Sequence, residues 1–224
     1  MEKYFNLAID GPSGAGKSTI AKLVAKELNF IYIDTGAMYR AVALFFLKKN
    51  INVDNEEEIN KYIDDINVEF RIIDNNIRLF LNDEDITDNI RTPEVSDGAS
   101  RVSVHAKVRE RMVKMQQEMA QKNNVVMDGR DIGTVVLPNA DLKIYLTASV
   151  KERAQRRFRE LQESGMDVQL EQIEKDIEER DYRDTHRDIS PLREAEDAVH
   201  LNSDGMKIEE EVSYILELIK SKKE

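Results

Sequence analysis

No cysteine occurs among the 224 residues, so the chain cannot build a disulfide framework, a cysteine nucleophile or a thiolate metal site. Histidine is scarce as well. His105, His186 and His200 stand far apart, which argues against a zinc centre and offers no obvious general base. The N-terminus lacks a basic segment leading into a long apolar stretch, and no run approaches the roughly eighteen apolar residues of a membrane span. These absences lead to the expectation of a cytoplasmic protein without membrane contact. Positive charge is also in deficit. A net charge of −11 means that the molecule as a whole repels nucleic-acid polymers and anionic membrane. Any anionic ligand must be held by a local concentration of cations.

The length allows one generous α/β domain, or a core carrying a small insert. Gly11-Pro12-Ser13-Gly14-Ala15-Gly16-Lys17-Ser18 follows the short apolar run Tyr4 to Ile9 and opens into helical periodicity, so it sits where a strand turns into a helix. In the pattern G-x-x-x-x-G-K-[ST] the glycines let successive N–H groups point inward, and the following helix adds the positive end of its dipole; together they hold a polyphosphate. ATP is the expected ligand over Gly11 to Thr19. Lys17 is expected to reach the β and γ phosphates, with the Ser18 hydroxyl on Mg²⁺. Asp128, at the end of a later strand, is a second metal candidate, acting through water.

Beyond this loop the pattern alternates strands with helices. Ile20, Leu23, Val24 and Leu28 mark one helix face. Phe30 to Ile33 predicts a strand ending in Asp34-Thr35-Gly36, and Met38 to Leu47 an apolar helix with Arg40 in its first turn. A cation at a helix start opposes the dipole and points to an anion, although a surface arginine fits that position equally well. Between about 62 and 91, Ile66, Val68, Phe70 and Ile72 alternate, Asp74-Asn75-Asn76 signals a turn, and Ile77, Leu79 and Leu81 alternate again. This predicts a small antiparallel subdomain inserted into the main fold. A helix is predicted from Pro93, then a core stripe of Val108, Met112, Met115 and Met119. Asn124 to Met127, Leu142 to Leu146 and Ala198 to Leu201 complete the parallel strands, and Ser149 with Glu152 forms a capping box.

Arginines gather in the second half at Arg130, Arg153, Arg156, Arg157, Arg159, Arg180, Arg183 and Arg187. A phosphate loop and many arginines suit phosphoryl transfer, which needs in-line positioning and charge neutralisation rather than covalent help. The lack of a base favours a phosphate acceptor, because a phosphate monoester with a second pKa of about 6 is already ionised at neutral pH. Other small acceptors stay open. A GTP-dependent switch is disfavoured, since no N-K-x-D loop follows a late strand. A scaffold that had lost activity would show erosion of Lys17 or of the arginines, and neither is eroded.

Ile9 to Lys17, Asp34 to Arg40, Ile90-Arg91-Thr92, Asp128 to Val136 and Arg180 to Asp184 resemble the bacterial cytidylate kinases along the whole chain. The resemblance implies a three-layer P-loop fold, with a parallel sheet flanked by helices. It assigns 1–61 and 92–224 to the kinase core, 62–91 to an antiparallel CMP-side insert, and about 150–187 to a helical lid. It further implies transfer of the ATP γ-phosphate to CMP or dCMP; Mg²⁺ is the metal expected with the nucleotide, and a monomer is expected because no surplus apolar stripe is left once each helix has one core face. Carried over by motif, Ser100, Arg109 and Asp131 would read the cytosine edge. Thr35, Arg40, Arg130 and Arg187 would surround the acceptor phosphate, and Arg180 with Asp184 would hold the sugar. Lys17, Arg130, Arg187 and the lid arginines Arg153 and Arg157 would act on the transferring phosphate.

Overall fold

The computed structural model describes residues 4–74 and 76–223. In chain order the first elements are β1 (Asn6–Asp10), α1 (Lys17–Leu28), β2 (Ile31–Asp34), α2 (Thr35–Lys48), α3 (Glu56–Tyr62), β3 (Val68–Ile73), β4 (Asn76–Leu81) and β5 (Glu84–Asp85). They are followed by α4 (Pro93–Val102), α5 (Ala106–Ala120), β6 (Val125–Gly129), β7 (Leu142–Thr147), α6 (Val150–Glu163), α7 (Leu170–His186), β8 (Val199–Asn202) and α8 (Ile208–Lys223). The chain divides into two compact units, Met1–Tyr32 with Ala120–Glu224, and Ile33–Met119.

The main sheet runs β2-β6-β1-β7-β8. β1 pairs in parallel with β6 and β7, and β7 with β8. A strand enclosed on both sides and covered by helices can be apolar throughout, which is why β1 reads as a short continuous run. Asp10 lies level with Gly129 and with Tyr145. The carboxyl ends of β1, β6 and β7 therefore share one edge, and the phosphate loop, the Arg130-Asp131 segment and the run into Ser149 all leave from it. Ligands of open parallel sheets bind at this edge.

α1 and α8 cover one face, with Ile20, Ala21, Val24, Val212, Ile215 and Ile219 packed on Leu7, Ile9, Ile144 and Leu146. Leu23 departs from the expected helix face and is 39% exposed. Ala21 and Ala25 are buried in its stead, because small side chains let α1 lie close to the sheet. α6 and α7 form a pair with a small core of Ala154, Ile173 and Ile177, joined by Phe158, Leu161 and Leu170. The Ser149 hydroxyl accepts from the Glu152 N–H at 3.2 Å, so the predicted N-cap starts α6.

In the second unit α2 lies against α4, where a Cβ on Gly98 would sit 3.2 Å from that of Ala43. β3 and β4 pair antiparallel with Val68 opposite Leu81 and Phe70 opposite Leu79, and β5 extends the sheet to three strands. Asp74 turns the hairpin with φ 50°; Asn75 of the predicted turn lies outside the described residues. The meander begins at Val68, after α3 has continued into one further helical turn over Ile63–Asp65. The compact unit that contains it, 33–119, is wider than the 62–91 segment marked out by alternation alone. Val108, Met112 and Met115 are buried as expected of a core stripe.

Candidate active site

The phosphate loop is shaped by two kinds of glycine. At Gly11 a Cβ would lie 1.9 Å from the Leu146 carbonyl oxygen, so backbone packs directly on backbone; Gly16, with φ 93°, adopts a left-handed conformation just before α1. Lys17 is buried and its Nζ donates to the Pro12 carbonyl at 2.7 Å, across the mouth of the loop. Burial first, then the charge of Arg130, lowers its ammonium from 10.5 to about 7. A cation held so unwillingly is ready for an anion.

Ser18 donates to one oxygen of Asp128 at 2.8 Å, and the Tyr32 hydroxyl donates to the other at 2.9 Å. Hydroxyl and carboxylate thus meet beside the loop. Among the described residues no group of three or more acids and histidines gathers into a metal cage. That donor set fits Mg²⁺, which retains several waters and takes its remaining ligands from substrate phosphates. Asp10, one residue before the loop, accepts from the N–H groups of Ile132 at 2.8 Å and Gly133 at 2.7 Å. Burial still outweighs those bonds and pushes its carboxyl up to about 6. Asp10 thereby ties the end of β1 to the wide helical turn Ile132–Val136 that follows Asp131.

Five of the residues expected around the acceptor come together after β6 and toward the end of α7. Arg130 Nε donates to Asp184 at 2.7 Å, with both side chains largely buried. Burial raises the Asp184 carboxyl, but the charge and hydrogen bond of Arg130 overcome this and hold it below its ordinary value. Arg187 lies 3.7 Å from Asp131, both side chains 7% exposed, and its Nε donates to the Ser190 carbonyl at 2.6 Å. Arg180, one turn before Asp184, contributes to lowering that carboxyl.

The arginines of α6 diverge. Arg153 is buried and fully engaged: it donates to the carbonyls of Ala148 and Ser13, each at 2.9 Å, and to Asp181 at 2.6 Å. It therefore braces the phosphate loop from α6 and links it to α7. Arg157 is half exposed and pairs with Glu160 at 3.1 Å. Arg156 lies between them in position, reaching the Ala15 carbonyl at 3.5 Å and the Ser203 carbonyl at 3.3 Å, with Glu152 on its Nε at 3.2 Å. A cavity of about 630 Å³ is lined by Gly14 and Gly16 to Thr19 of the loop region, by Arg153, Arg156 and Arg157, and by Met206, Ile208 and Glu211. It is large enough for a nucleotide.

The second unit holds the remaining expected residues. Asp34 caps α2, accepting from Ala37 N–H at 2.7 Å, and the same carboxylate takes Arg40 Nη2 at 3.0 Å. The adverse charge of Arg40 near the helix start is thus balanced, while its buried Nε has no hydrogen-bond partner. Thr35, in the first turn, is buried. Arg109 is buried, donates to the Ser103 carbonyl at 3.3 Å and lies over the Tyr39 ring at 5.8 Å. Ser103 in turn donates to the Ser100 carbonyl at 2.8 Å, so Ser100 and Arg109 are brought together through it.

Asp10 and Asp181 stand in this framework without having been singled out from sequence, and Arg156 was named only as one of the gathered arginines. An acid closing a buried strand was the one available signal for Asp10; nothing local distinguishes Arg156 from Arg157 or Asp181 from its neighbours.

A family model described as cytidylate kinase matches residues 7–221. A cytidylate kinase of Bacillus cereus (strain B4264) is 48% identical over 98% of this chain and 97% of its own. One from Caldicellulosiruptor bescii is 52% identical over 96% of each chain. A crystallised protein of Eubacterium ventriosum, described as uncharacterized, shares the fold with a TM-score of 0.53 at 14% identity, over 98% of this chain and 99% of that one.

Proposed function

The chain belongs to the cytidylate kinase family, and from that premise we propose that it transfers the γ-phosphate of ATP to CMP or dCMP, giving ADP and CDP or dCDP. The observation that carries this reading is the intact phosphate loop beside the Ser18–Asp128 pair, with Arg130 and Asp184 paired within the same unit. ATP occupies Gly11 to Thr19, with its polyphosphate on the loop N–H groups. Lys17 leaves the Pro12 carbonyl for the β and γ phosphates. Ser18 directly, and Asp128 through water, would hold Mg²⁺, which when bound neutralises phosphate charge.

The acceptor needs no base, since a nucleoside monophosphate carries its own ionised oxygen at neutral pH. By family motif Arg130 and Arg187 in the one unit, and Arg40 and Thr35 in the other, are the residues assigned to that phosphate, and Arg180 with Asp184 hold the sugar. Cytosine offers an amine donor beside acceptor atoms, to which Asp131 supplies an acceptor, Arg109 a donor and Ser100 an adaptable hydroxyl. Arg130, Arg187 and Arg157 neutralise charge on the moving phosphoryl group. Arg153, the other lid arginine expected at that group, is engaged with Ala148, Ser13 and Asp181 and serves instead to hold the loop that carries the phosphates. Residues 150–187 serve as the lid and 62–91 as the acceptor-side insert. No helix among the described residues is long and apolar enough to cross a membrane, and the enzyme works as a cytoplasmic monomer.

The test is a coupled ADP-release assay with ATP and Mg²⁺, offering CMP, dCMP, UMP, AMP and GMP at equal concentration. Fast turnover confined to the cytidine nucleotides is expected. Equal background hydrolysis with every acceptor overturns the proposal.

A further inference from the structure

Of the glutamates that line the nucleotide cavity, none of which the phosphoryl-transfer chemistry uses, one is buried without a partner. Glu211, in the first turn of α8, is 2% exposed, lines the cavity, and its Oε2 has no hydrogen-bond partner. The other acids around it differ. Glu152 is bonded to Arg156, Glu160 to Arg157, and Glu209 is exposed. Burial pushes the Glu211 carboxyl up to about 7, and the charge of Arg156 offsets only part of this. A buried carboxyl lacking a bonded partner is destabilising unless something arrives to satisfy it.

Position indicates what arrives. The loop N–H groups take the polyphosphate, so the rest of the lining is left for the nucleoside. That part of the wall offers the apolar surfaces of Met206 and Ile208 and the guanidinium planes of Arg156 and Arg157, on which a base can stack. Glu211 is the acceptor within it. We propose that Glu211 is a specificity residue for the phosphoryl donor, its Oε2 accepting a hydrogen bond from the exocyclic amine of the donor's base. Adenine presents an amine at C6, whereas guanine presents a carbonyl oxygen there. Above about pH 7, where Glu211 is ionised, the carboxylate accepts from the first and repels the second. A purine with only hydrogen at that carbon leaves the carboxylate as unsatisfied as before.

This inference rests on reading the cavity as the donor site, and the test separates the two. Binding of ATP, GTP and purine riboside 5′-triphosphate, which lacks the amine, is measured by calorimetry with Mg²⁺ and without acceptor. The same set is then run on Glu211→Val and Glu211→Gln, with thermal melts to establish folding. The intact protein is expected to bind ATP about ten- to a hundredfold more tightly than the amine-free analogue, the range for a hydrogen bond to a charged group. Glu211→Val is expected to bring that ratio close to one. Glu211→Gln, which retains a carbonyl acceptor of the same shape, keeps part of it. The KM for CMP stays unchanged in both variants. An unaltered ATP-to-analogue ratio in Glu211→Val overturns the inference while leaving the donor site standing. Failure of the intact protein to bind ATP at all overturns both together.

Discussion

Two regions of this molecule use charge in opposite ways. In the meander, Arg71 pairs with Glu69 and Asp83, and Arg78 with Asp85 and Asp88, on side chains that all reach solvent. Water screens such pairs, and their loss changes little. Around the phosphate loop, Asp10, Lys17, Asp128 and Asp184 are buried, and each is held by a specific main-chain or side-chain partner. There the same residue types govern pKa values, loop shape and readiness for an anion. The lesson is that charge content says nothing about a site until burial is known.

Breaking the buried network gives the largest effect. Arg130→Ala is expected to lower turnover with CMP by about 10²–10³-fold, the usual consequence of removing one preorganised donor at the reacting phosphate. From the sequence alone the variant is expected to lose turnover without unfolding, and nothing there signals a loss of stability. The structure adds one, because Asp184 is left in a buried place without its main partner; about 2 kcal/mol is expected. Arg130→Ala combined with Asp184→Asn recovers the stability and not the turnover, as thermal melts beside steady-state kinetics will establish. A single variant with normal kinetics removes Arg130 from the site.

Next in size is Gly11→Ala. Its methyl group would meet the Leu146 carbonyl, a backbone atom that cannot rotate away, so a loss of about 3 kcal/mol is expected in denaturant unfolding. The same change at Gly205, whose added Cβ meets nothing within 4 Å, costs only the strain of its φ of 74°.

A smaller effect appears as protons. Lys17 sits near 7 in the folded protein against 10.5 for the free side chain. Its folded pKa is depressed, so the buried ammonium weighs against folding below about pH 7 and that penalty is relieved as pH rises toward the unfolded value. At pH 8 the group is mostly neutral. Phosphates brought to it restore the ammonium, and ATP binding at pH 8 is expected to take up more than half a proton. Calorimetry in buffers of different ionisation enthalpy measures this directly. Zero uptake would mean that Lys17 is charged in the empty loop, and the contrast with the surface pairs would shrink.

The smallest expected effect comes from the exposed pair Lys48–Glu84, at 2.5 Å. Lys48→Ala should change stability by no more than about 0.5 kcal/mol in the same unfolding assay. A larger loss would place this pair with the buried network rather than the meander.

Much of this was legible in the chain itself. Contiguous patterns did it: a glycine loop between an apolar strand and a periodic helix, alternation across Ile66 to Leu81, Ser149 with Glu152 as a cap. Each depends on neighbours within a few residues, where backbone geometry and side-chain periodicity act locally. The order of motifs, from Asp10 to Asp184, was sufficient to point to the family. What only the tertiary structure decided depends on residues brought together from distant segments. It joined Ser18 to Asp128, Asp10 to Gly133, and Arg130 to Asp184. It also separated Arg153, locked under the phosphate loop, from Arg157 in solvent, although both belong to one helix face in the sequence. Burial is a property of the packed molecule, and burial decides which of many identical charges acquires a function.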